Sequence, residues 1–343
     1  MADDKVLLVK GIAGLGNRIL CALTGILYAQ MSGRKLLIDW SDAIYSPDGS
    51  NIFGRLFRIC SAATIEDLPS TESIYPDAWR GHLGESAKDV AERYGHIPTN
   101  VKSVLKLDLA KIDYREDIVV LVLYTAEIGA LRRHFAGEMA ALAGMTDEAI
   151  LAKLLRENVE LQPEIRQRVE NFKREHFGAR TVGVHVRYTD YRVRLLPIIR
   201  KLNQLLRSEP EMRIFLATDN IELKRAFEKS YTNVVTTPHW YPEAGEPIHK
   251  ARGRPDRIES AIESLIDLYL LAECGELIVD ATSSFAYVAS LLSQARPESV
   301  HRVVTGEKHW SKRGNEVWSL ARRWKLVSLS MRLFPRLVPI RKL

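Results

Sequence analysis

One segment of the chain combines an apolar strand pattern with side chains that could bind an anion. It spans residues 181–190 and reads TVGVHVRYTD. Because the side chains of a strand alternate between its two faces, His185 and Arg187 should point the same way. Arginine is always charged, and its planar fork of donors suits phosphate oxygens. The segment predicts an anion clamp for a diphosphate, and a strand-end arginine in a structural ion pair is the alternative that it leaves open.

Three further loops follow strand patterns and could contribute to the same site. Residues 11–18 read GIAGLGNR, which favours an anion or hydroxyl cradle of backbone N–H groups before a helix, or simply a tight turn. Asp219 and Asn220 end another strand, where either could instead cap the next helix. Residues 280–285 read DATSSF, whose hydroxyls can cap a helix or present its first N–H groups to phosphate. Ligands of open α/β sheets bind beyond the carboxyl ends of strands, so the loops together predict one site.

The elements that must position these loops alternate between strand and helix patterns in two successive series. The first series contains a strand at 5–10, a helix at 19–32 and strands at 35–40 and 117–124, and helical patterns then fill much of 130–176. The second contains strands at 181–186, 212–217, 233–236, 276–280 and 299–305, and helices at 196–208, 221–230 and 258–274. The pattern predicts an α/β protein with two doubly wound, Rossmann-like domains. We place the domains at 1–177 and 178–306, followed by a basic amphipathic segment at 307–343.

Composition restricts the class of protein. Hydrophobic residues make up 46% and charged residues 27% of the 343 residues, which is typical of soluble globular proteins. The net charge of +6 suits an anionic ligand, nucleic acid or a membrane surface. The basic residues are dispersed and lack the aromatic interleaving of nucleic-acid-binding patterns, which argues against nucleic acid. Three cysteines without a C-x-x-C pair predict free thiols in a reducing cytoplasm.

The two ends of the chain carry no signal for export or membrane insertion. The acidic start is unlike a secretory signal, and no apolar stretch reaches the length of a membrane-spanning helix. Residues 326–343 alternate apolar side chains with arginine, a pattern that suits either a terminal segment packed on the protein itself or peripheral contact with an anionic membrane. We therefore expect a cytoplasmic protein, with attachment at the inner membrane as a further hypothesis.

The order of these motifs resembles the fucosyltransferase superfamily that uses GDP-fucose. This superfamily includes nodulation and core α1,6-, α1,2- and protein O-fucosyltransferases. Its G-x-G-N loop is seen here as Gly14-Leu-Gly-Asn17, and its H-x-R-x-[GT]-D motif as His185-Val-Arg-Tyr-Thr-Asp190. The strand ending in Thr218-Asp219 and the segment Ser283-Ser-Phe285 also match. The resemblance spans nearly the whole chain, and the form of the second motif looks closest to the α1,6 group.

The resemblance implies a GT-B fold, in which the two domains face a cleft and residues 178–306 hold the donor. Arg187 would hold the donor β-phosphate, and His185 would help to shape the same pocket. Asp219 would lie near the nucleotide, and Asp267 would read the guanine. The remaining implied positions form two loops, one contacting phosphates and nucleotide and one lining the cleft from the acceptor side: Thr282, Ser283, Ser284 and Phe285, and Gly14, Gly16 and Asn17.

The implied reaction is an inverting transfer of fucose to a hydroxyl of a glycan or glycoconjugate. Arg187 and helix N–H groups could stabilise the charge that develops on GDP, and the sequence has no convincing D-x-D metal motif, so we expect neither a metal nor another cofactor. The α1,6 group carries a glutamate shortly after the second motif, but residues 191–195 contain no carboxylate. Asp190, Glu127 and Asp39 are the candidate bases. A different nucleotide-sugar donor, or a GDP-sugar-binding protein without activity, are the alternatives.

Overall fold

The computed structural model describes residues 5–60, 67–95, 100–189, 193–242, 253–254 and 256–303. The chain divides into two compact units, Met1–Gln167 with Asp256–Ile262 and Arg168–Pro255 with Glu263–Leu343. Asp190 and the predicted C-terminal segment 307–343 lie outside the described residues. Each unit contains a parallel sheet with helices between its strands, which confirms the predicted α/β class. Within the described part of the chain, no helix is both long and apolar enough to cross a membrane.

The first part of the chain builds a four-stranded parallel sheet in the order β2-β1-β5-β4. A separate antiparallel pair joins β3 to β6. The elements up to residue 176 are β1 (Val6–Lys10), α1 (Leu15–Ser32), β2 (Lys35–Asp39), α2 (Phe53–Leu56), β3 (Phe57–Ile59), β4 (Ile74–Tyr75), α3 (Ala87–Arg93), β5 (Ile118–Leu121), α4 (Asp147–Asn158), β6 (Val159–Leu161) and α5 (Pro163–His176). The central strands β1 and β5 are buried throughout, as expected for a parallel sheet covered on both faces.

Helix α1 packs closely on this sheet and carries the glycine-rich loop at its start. The helix begins at Leu15, four residues before the predicted start, because Gly14 adopts an extended conformation and serves as its N-cap. It ends where Gly33 takes a left-handed conformation with φ of 67°, so the predicted stop is confirmed. Gly25 faces strand β1: a Cβ atom added there would lie 2.5 Å from Val9 Cγ2. The approach of α1 to the sheet therefore depends on the missing side chain.

Replacing Gly25 with alanine is expected to destabilise the protein by about 1–3 kcal/mol, because the new methyl group overlaps a branched side chain that has little freedom to move. Gly54 in α2 is the matched control, since an added Cβ there has no neighbour within 4 Å. Gly54→Ala should be neutral or stabilising by up to about 1 kcal/mol. Urea unfolding of both variants measures the difference, and equal midpoints would contradict the packing argument.

The second part of the chain builds a five-stranded parallel sheet in the order β11-β10-β7-β8-β9. Its strands and helices are β7 (Thr181–Val186), α6 (Leu195–Ser208), β8 (Arg213–Thr218), α7 (Ile221–Ser230), β9 (Val234–Val235), α8 (Arg257–Ala272), β10 (Glu276–Asp280), α9 (Ser284–Leu292) and β11 (Val300–Val303). Numbered within the unit, this is the strand order 3-2-1-4-5 that begins a Rossmann sheet. The order reverses between β7 and β10, so the open crevice of the sheet lies at their carboxyl ends.

Most predicted elements are confirmed to within a few residues, and the exceptions are short strands. The predicted strand at 117–124 is only four residues long as β5. The region 130–176, predicted to be mostly helical, also contains β6, which pairs with β3. Strands of three residues are too short to show a period of two, so their pairing cannot be read from local sequence.

Candidate functional site

The loops that follow β7 and β10 flank the crevice of the second sheet. These strands are direct neighbours, with Leu277 of β10 opposite Gly183 of β7. His185 lies near the end of β7 and Arg187 directly follows that strand, whereas Ser283 and Phe285 follow β10. Ligands of such sheets bind where the strand order reverses. The fold therefore brings together two loops that are about 100 residues apart in the sequence.

His185 is a buried, uncharged member of this group. Its ring stacks on that of Phe285, with centroids 5.1 Å apart and an angle of 28° between the planes. Burial, and then the positive charge of Arg187, lowers the pKa of His185 to about 3. Its Nδ1 atom is buried and has no hydrogen-bond partner among the described residues. The imidazole is therefore neutral at pH 7, and a buried polar atom stands at the ligand end of the sheet.

The low pKa of His185 predicts how the stability of the protein depends on pH. Its folded-state pKa of about 3 lies below the ordinary 6.5, so the unfolded chain takes up the proton first as the pH falls. The stability from a neutral His185 is complete above pH 6.5 and decreases by about 1.4 kcal/mol per pH unit below it. Urea unfolding between pH 7 and about pH 4.5 should show this slope in the wild type and a shallower one in His185→Gln. Parallel curves would contradict a buried neutral ring.

Asp219 holds the backbone of the loop that follows Arg187. Its carboxylate accepts hydrogen bonds from the backbone N–H of Tyr188, at 2.6 Å, and from the hydroxyl of Thr189. The cap of α7 is instead Asn220, whose side-chain oxygen accepts the N–H of Leu223 at 2.8 Å. Of the two predicted caps, Asn220 is thus the one observed. Asp219 therefore orders the two residues that follow the half-buried Arg187.

The start of helix α9 lies against His185. Ser283 is its N-cap and accepts the N–H of Ala286, so the capping alternative for this hydroxyl is observed. Asp280, the last residue of β10, accepts the N–H of Thr282 at 2.7 Å and also its hydroxyl. Ser284 is the first residue of the helix, and Phe285 follows it to stack on His185. The positive end of the α9 dipole is therefore located at the crevice.

Asp267, the predicted guanine reader, lies in a buried ionic cluster. Its oxygens accept the hydroxyl of Thr237 at 2.5 Å and Nε2 of His239 at 2.8 Å. Nδ1 of His239 lies 3.4 Å from Glu263, which also binds Arg254 through two hydrogen bonds of 2.6 and 2.9 Å. Burial opposes a charge on His239, but Asp267 and Glu263 outweigh it and raise its pKa to about 10. The ring is thus a cation between two carboxylates.

The sequence interpretation did not connect His239, Glu263 and Arg254 with the site. A signal was present, because Glu263 and Asp267 are spaced i, i+4 and so share one face of α8. Two carboxylates on the buried face of an amphipathic helix need cations opposite them. His239 and Arg254 are those cations, but which side chains face these carboxylates is not a local property of the sequence.

In the first unit, α1 holds the segment that follows β5. The side-chain amide of Asn17 donates to the carbonyl oxygen of Tyr124 at 2.5 Å. The backbone N–H of Glu127 donates to Thr24 Oγ1 at 3.2 Å. The Glu127 side chain is 42% exposed, and its carboxylate lies 3.9 Å from Lys106 Nζ. Asn17 therefore serves to anchor this segment, and Glu127 presents an accessible carboxylate.

The other residues predicted in the first unit lie at the glycine-rich turn and at the end of β2. Gly14 caps α1, and Gly16 is buried in its first turn. Asp39 pairs with the buried Lys10 Nζ at 2.5 Å and accepts the N–H of Ser41 at 2.8 Å. Ala13, between these glycines and β1, has a left-handed φ of 63°. Among the described residues, no group of three or more histidines, cysteines or acids is arranged to hold a metal ion.

A Rossmann-type sheet with an arginine, a helix N-terminus and a buried carboxylate around its crevice has the features of a nucleotide-binding unit. Two curated proteins are similar to the chain over most of its length. "Nodulation protein Z" of Bradyrhizobium diazoefficiens is 28% identical over 323 residues, covering 85% of this chain and 80% of the relative. "Nodulation protein Z" of Azorhizobium caulinodans is 23% identical over 306 residues, covering 81% and 86%. No family model matches the chain.

The fold of the chain is also similar to that of a solved enzyme. The crystal structure of NodZ α-1,6-fucosyltransferase soaked with GDP-fucose matches with a TM-score of 0.60 at 22% identity. The match covers 84% of this chain and 93% of that one. The predicted resemblance is therefore confirmed: the chain is similar in sequence to nodulation protein Z, and its fold is similar to that of a solved fucosyltransferase.

Proposed function

We propose that the chain is an inverting, metal-independent glycosyltransferase that moves fucose from GDP-fucose to a hydroxyl of a glycan or glycoconjugate. The observation that carries this proposal is the crevice between β7 and β10, where Arg187, His185 and the start of α9 lie together. Such a set suits a diphosphate, because a charged fork and a helix N-terminus both stabilise phosphate oxygens. The similarity to fucosyltransferases supports GDP-fucose as the donor.

Each residue of the crevice has a proposed part in the reaction. Arg187 binds the β-phosphate and stabilises the negative charge that grows as the sugar–phosphate bond breaks. Asp219 keeps the Arg187 loop in place, and the first turn of α9 adds its dipole. His185, neutral and stacked on Phe285, offers a buried nitrogen to the donor rather than a second positive charge. These groups supply charge stabilisation from the protein itself, which is why we propose a reaction without a metal.

The acceptor side is assigned to the first unit, in a GT-B arrangement whose domains face a cleft. Gly14, Gly16 and Asn17 form its proposed cleft loop, as the resemblance implies. An acceptor hydroxyl needs a base, and Glu127 is our candidate because its carboxylate is accessible whereas that of Asp39 is held by Lys10. Asp190 remains a second candidate on sequence grounds alone.

We further propose that the protein acts in the cytoplasm on donor and glycan substrates. The cysteines support a reducing compartment: in the described residues Cys21 and Cys274 are buried free thiols and Cys60 is an exposed one. The basic segment 307–343 is the proposed contact with the inner membrane. Fractionation of cells that express the full chain or a chain ending at residue 306 tests this contact, and unchanged fractionation would remove its support.

Binding and turnover with defined donors test the proposed function. Isothermal titration with GDP should show binding to the wild type, and hydrolysis assays should consume GDP-fucose in preference to UDP- and CMP-sugars. Turnover should persist in excess chelator. The sugar is β-linked in the donor, and NMR should show that it is α-linked in the product. Consumption of another donor alone would overturn the choice of fucose. Binding of GDP without transfer or hydrolysis over a broad acceptor set would indicate a binding protein.

A further inference from the structure

A buried ionic cluster connects helix α8 with residues of the loop that precedes it in the sequence. Along the cluster, Arg254 binds Glu263, His239 lies between Glu263 and Asp267, and Thr237 binds the second oxygen of Asp267. The side chains are 15% exposed or less, and that of His239 is only 5% exposed. Since burial of unpaired charge is strongly unfavourable, each charged side chain of the cluster depends on its neighbours for compensation.

The charges of the cluster balance only when His239 is protonated. Glu263 and Asp267 carry two negative charges on one face of α8, and like charges at this spacing repel. Arg254 compensates one of them directly through its two hydrogen bonds to Glu263. The imidazolium of His239, in contact with both acids, compensates the other. A neutral residue at position 239 would leave one buried negative charge without a partner.

The cluster is joined to the ligand end of the sheet through the same loop. Tyr241 lies two residues after His239, and the centroids of the two rings are 6.1 Å apart. The hydroxyl of Tyr241 donates to the carbonyl oxygen of Thr218 at 3.4 Å. Thr218 is the last residue of β8 and directly precedes Asp219. Burial, and then the negative charges of Asp267 and Asp219, raises the pKa of Tyr241, so its hydroxyl remains protonated and able to donate. The loop therefore ties Asp267 to the strand end that orders the Arg187 loop.

We propose that His239 is a positioning residue of the donor site, which holds the Asp267 carboxylate in one orientation and thereby determines selectivity for the nucleobase. The inference rests on the proposed function and on the part that the resemblance implies for Asp267, which is to read the guanine of the donor. With Thr237 and His239 each bound to a different oxygen, the Asp267 carboxylate cannot rotate without losing a buried hydrogen bond. Only the remaining lone pairs of the Asp267 carboxylate can accept hydrogen bonds from a ligand, and Thr237 and His239 set their directions.

The experiment compares GDP with IDP, which lacks the exocyclic amine of guanine. Wild-type protein should bind GDP about 10-fold more tightly than IDP, the usual effect of one hydrogen bond to a charged group. In His239→Gln the GDP affinity should fall and the GDP-to-IDP ratio should approach one, because the freed Asp267 carboxylate can rotate. The loss should appear in the KM for GDP-fucose more than in kcat. In the wild type a protonated His239, which lies between Glu263 and Asp267, should keep the GDP affinity constant up to about pH 9.

The matched control is His301→Gln at the other end of the same sheet. His301 also binds a buried acid through Nε2, at 2.7 Å from Glu276, but Glu276 is the first residue of β10 and lies away from the crevice. This variant should lose stability and keep the wild-type GDP-to-IDP ratio. If His239→Gln does not fold, Glu263→Gln provides the test: it leaves His239 one acid only, so pH dependence of GDP affinity should begin at lower pH than in the wild type.

The outcomes separate the two proposals. A wild type that binds neither GDP nor IDP contradicts the proposed function. A wild type that prefers GDP, together with a folded His239→Gln that keeps the same ratio and pH profile, contradicts the positioning role alone. A ratio that changes equally in His301→Gln would likewise overturn it, since the effect would then reflect general loosening of the sheet.

Discussion

Arg187→Ala should lower kcat/KM for GDP-fucose by roughly 100- to 1,000-fold, the loss seen when one preorganised donor to a developing charge is removed. Arg187 directly follows the central strand β7 and lies close enough to His185 for its charge to lower the pKa of that ring, so it stands at the crevice where the leaving diphosphate is proposed to lie. The larger part of the loss should fall on kcat, because the charge on GDP grows in the transition state. Arg187→Lys keeps the charge but not the fork, and should lie between alanine and wild type.

Arg213→Ala is the control for Arg187. Arg213 is exposed and is the first residue of β8, the strand beside β7. It therefore lies at the amino-terminal end of the strands, opposite to the crevice. Steady-state kinetics of both variants, with melting temperatures to verify folding, provide the comparison. Near-normal turnover in a folded Arg187→Ala, or an equal loss in Arg213→Ala, would refute the assignment of Arg187 to the leaving group.

Arg18→Met is expected to destabilise the protein by about 3–5 kcal/mol, because it leaves a buried carboxylate without its cation. Arg18 has no exposed surface and binds Asp42, whose side chain is 4% exposed. The same guanidinium donates to the carbonyl oxygens of Ala13, at 3.0 Å, and Trp40, at 3.4 Å, and lies over the ring of Tyr45. It therefore also supports the turn in which Ala13 has its positive φ.

Two further variants isolate the contribution of the buried charge at Asp42. Arg18→Met combined with Asp42→Asn should recover part of the lost stability, since the asparagine removes the charge and retains an oxygen for the N–H of Ile44. Arg58→Met, at an ion pair whose side chains are 56% and 44% exposed, should change stability by about 0–1 kcal/mol. The free energies come from urea unfolding. A loss at Arg18 no greater than that at Arg58 would show that burial of the pair has little effect.

Much of the fold could be predicted because its central elements have strong local patterns. The strand at 181–186 was predicted with the bounds that β7 has, since all six residues are buried and apolar side chains dominate it. Helix α7 and strand β10 also have the predicted bounds. The pairing of β3 with β6 and the interruption of the 130–176 region could not be predicted. Those strands exist through contacts between residues about 100 positions apart, and their own sequences are too short to indicate them.

Local sequence patterns were enough to indicate which residues follow the strands and therefore which of them can reach a ligand. The position of Arg187 after β7 and the hydroxyls after β10 follow from local periodicity and capping chemistry alone. Which strand ends are neighbours became visible in the folded chain alone, because strand order results from long-range packing. That order places Phe285 on His185 and makes the histidine neutral. It also brings Asp219 to the backbone N–H of Tyr188, and Thr237 and the charged His239 to Asp267. No local sequence pattern indicates these contacts.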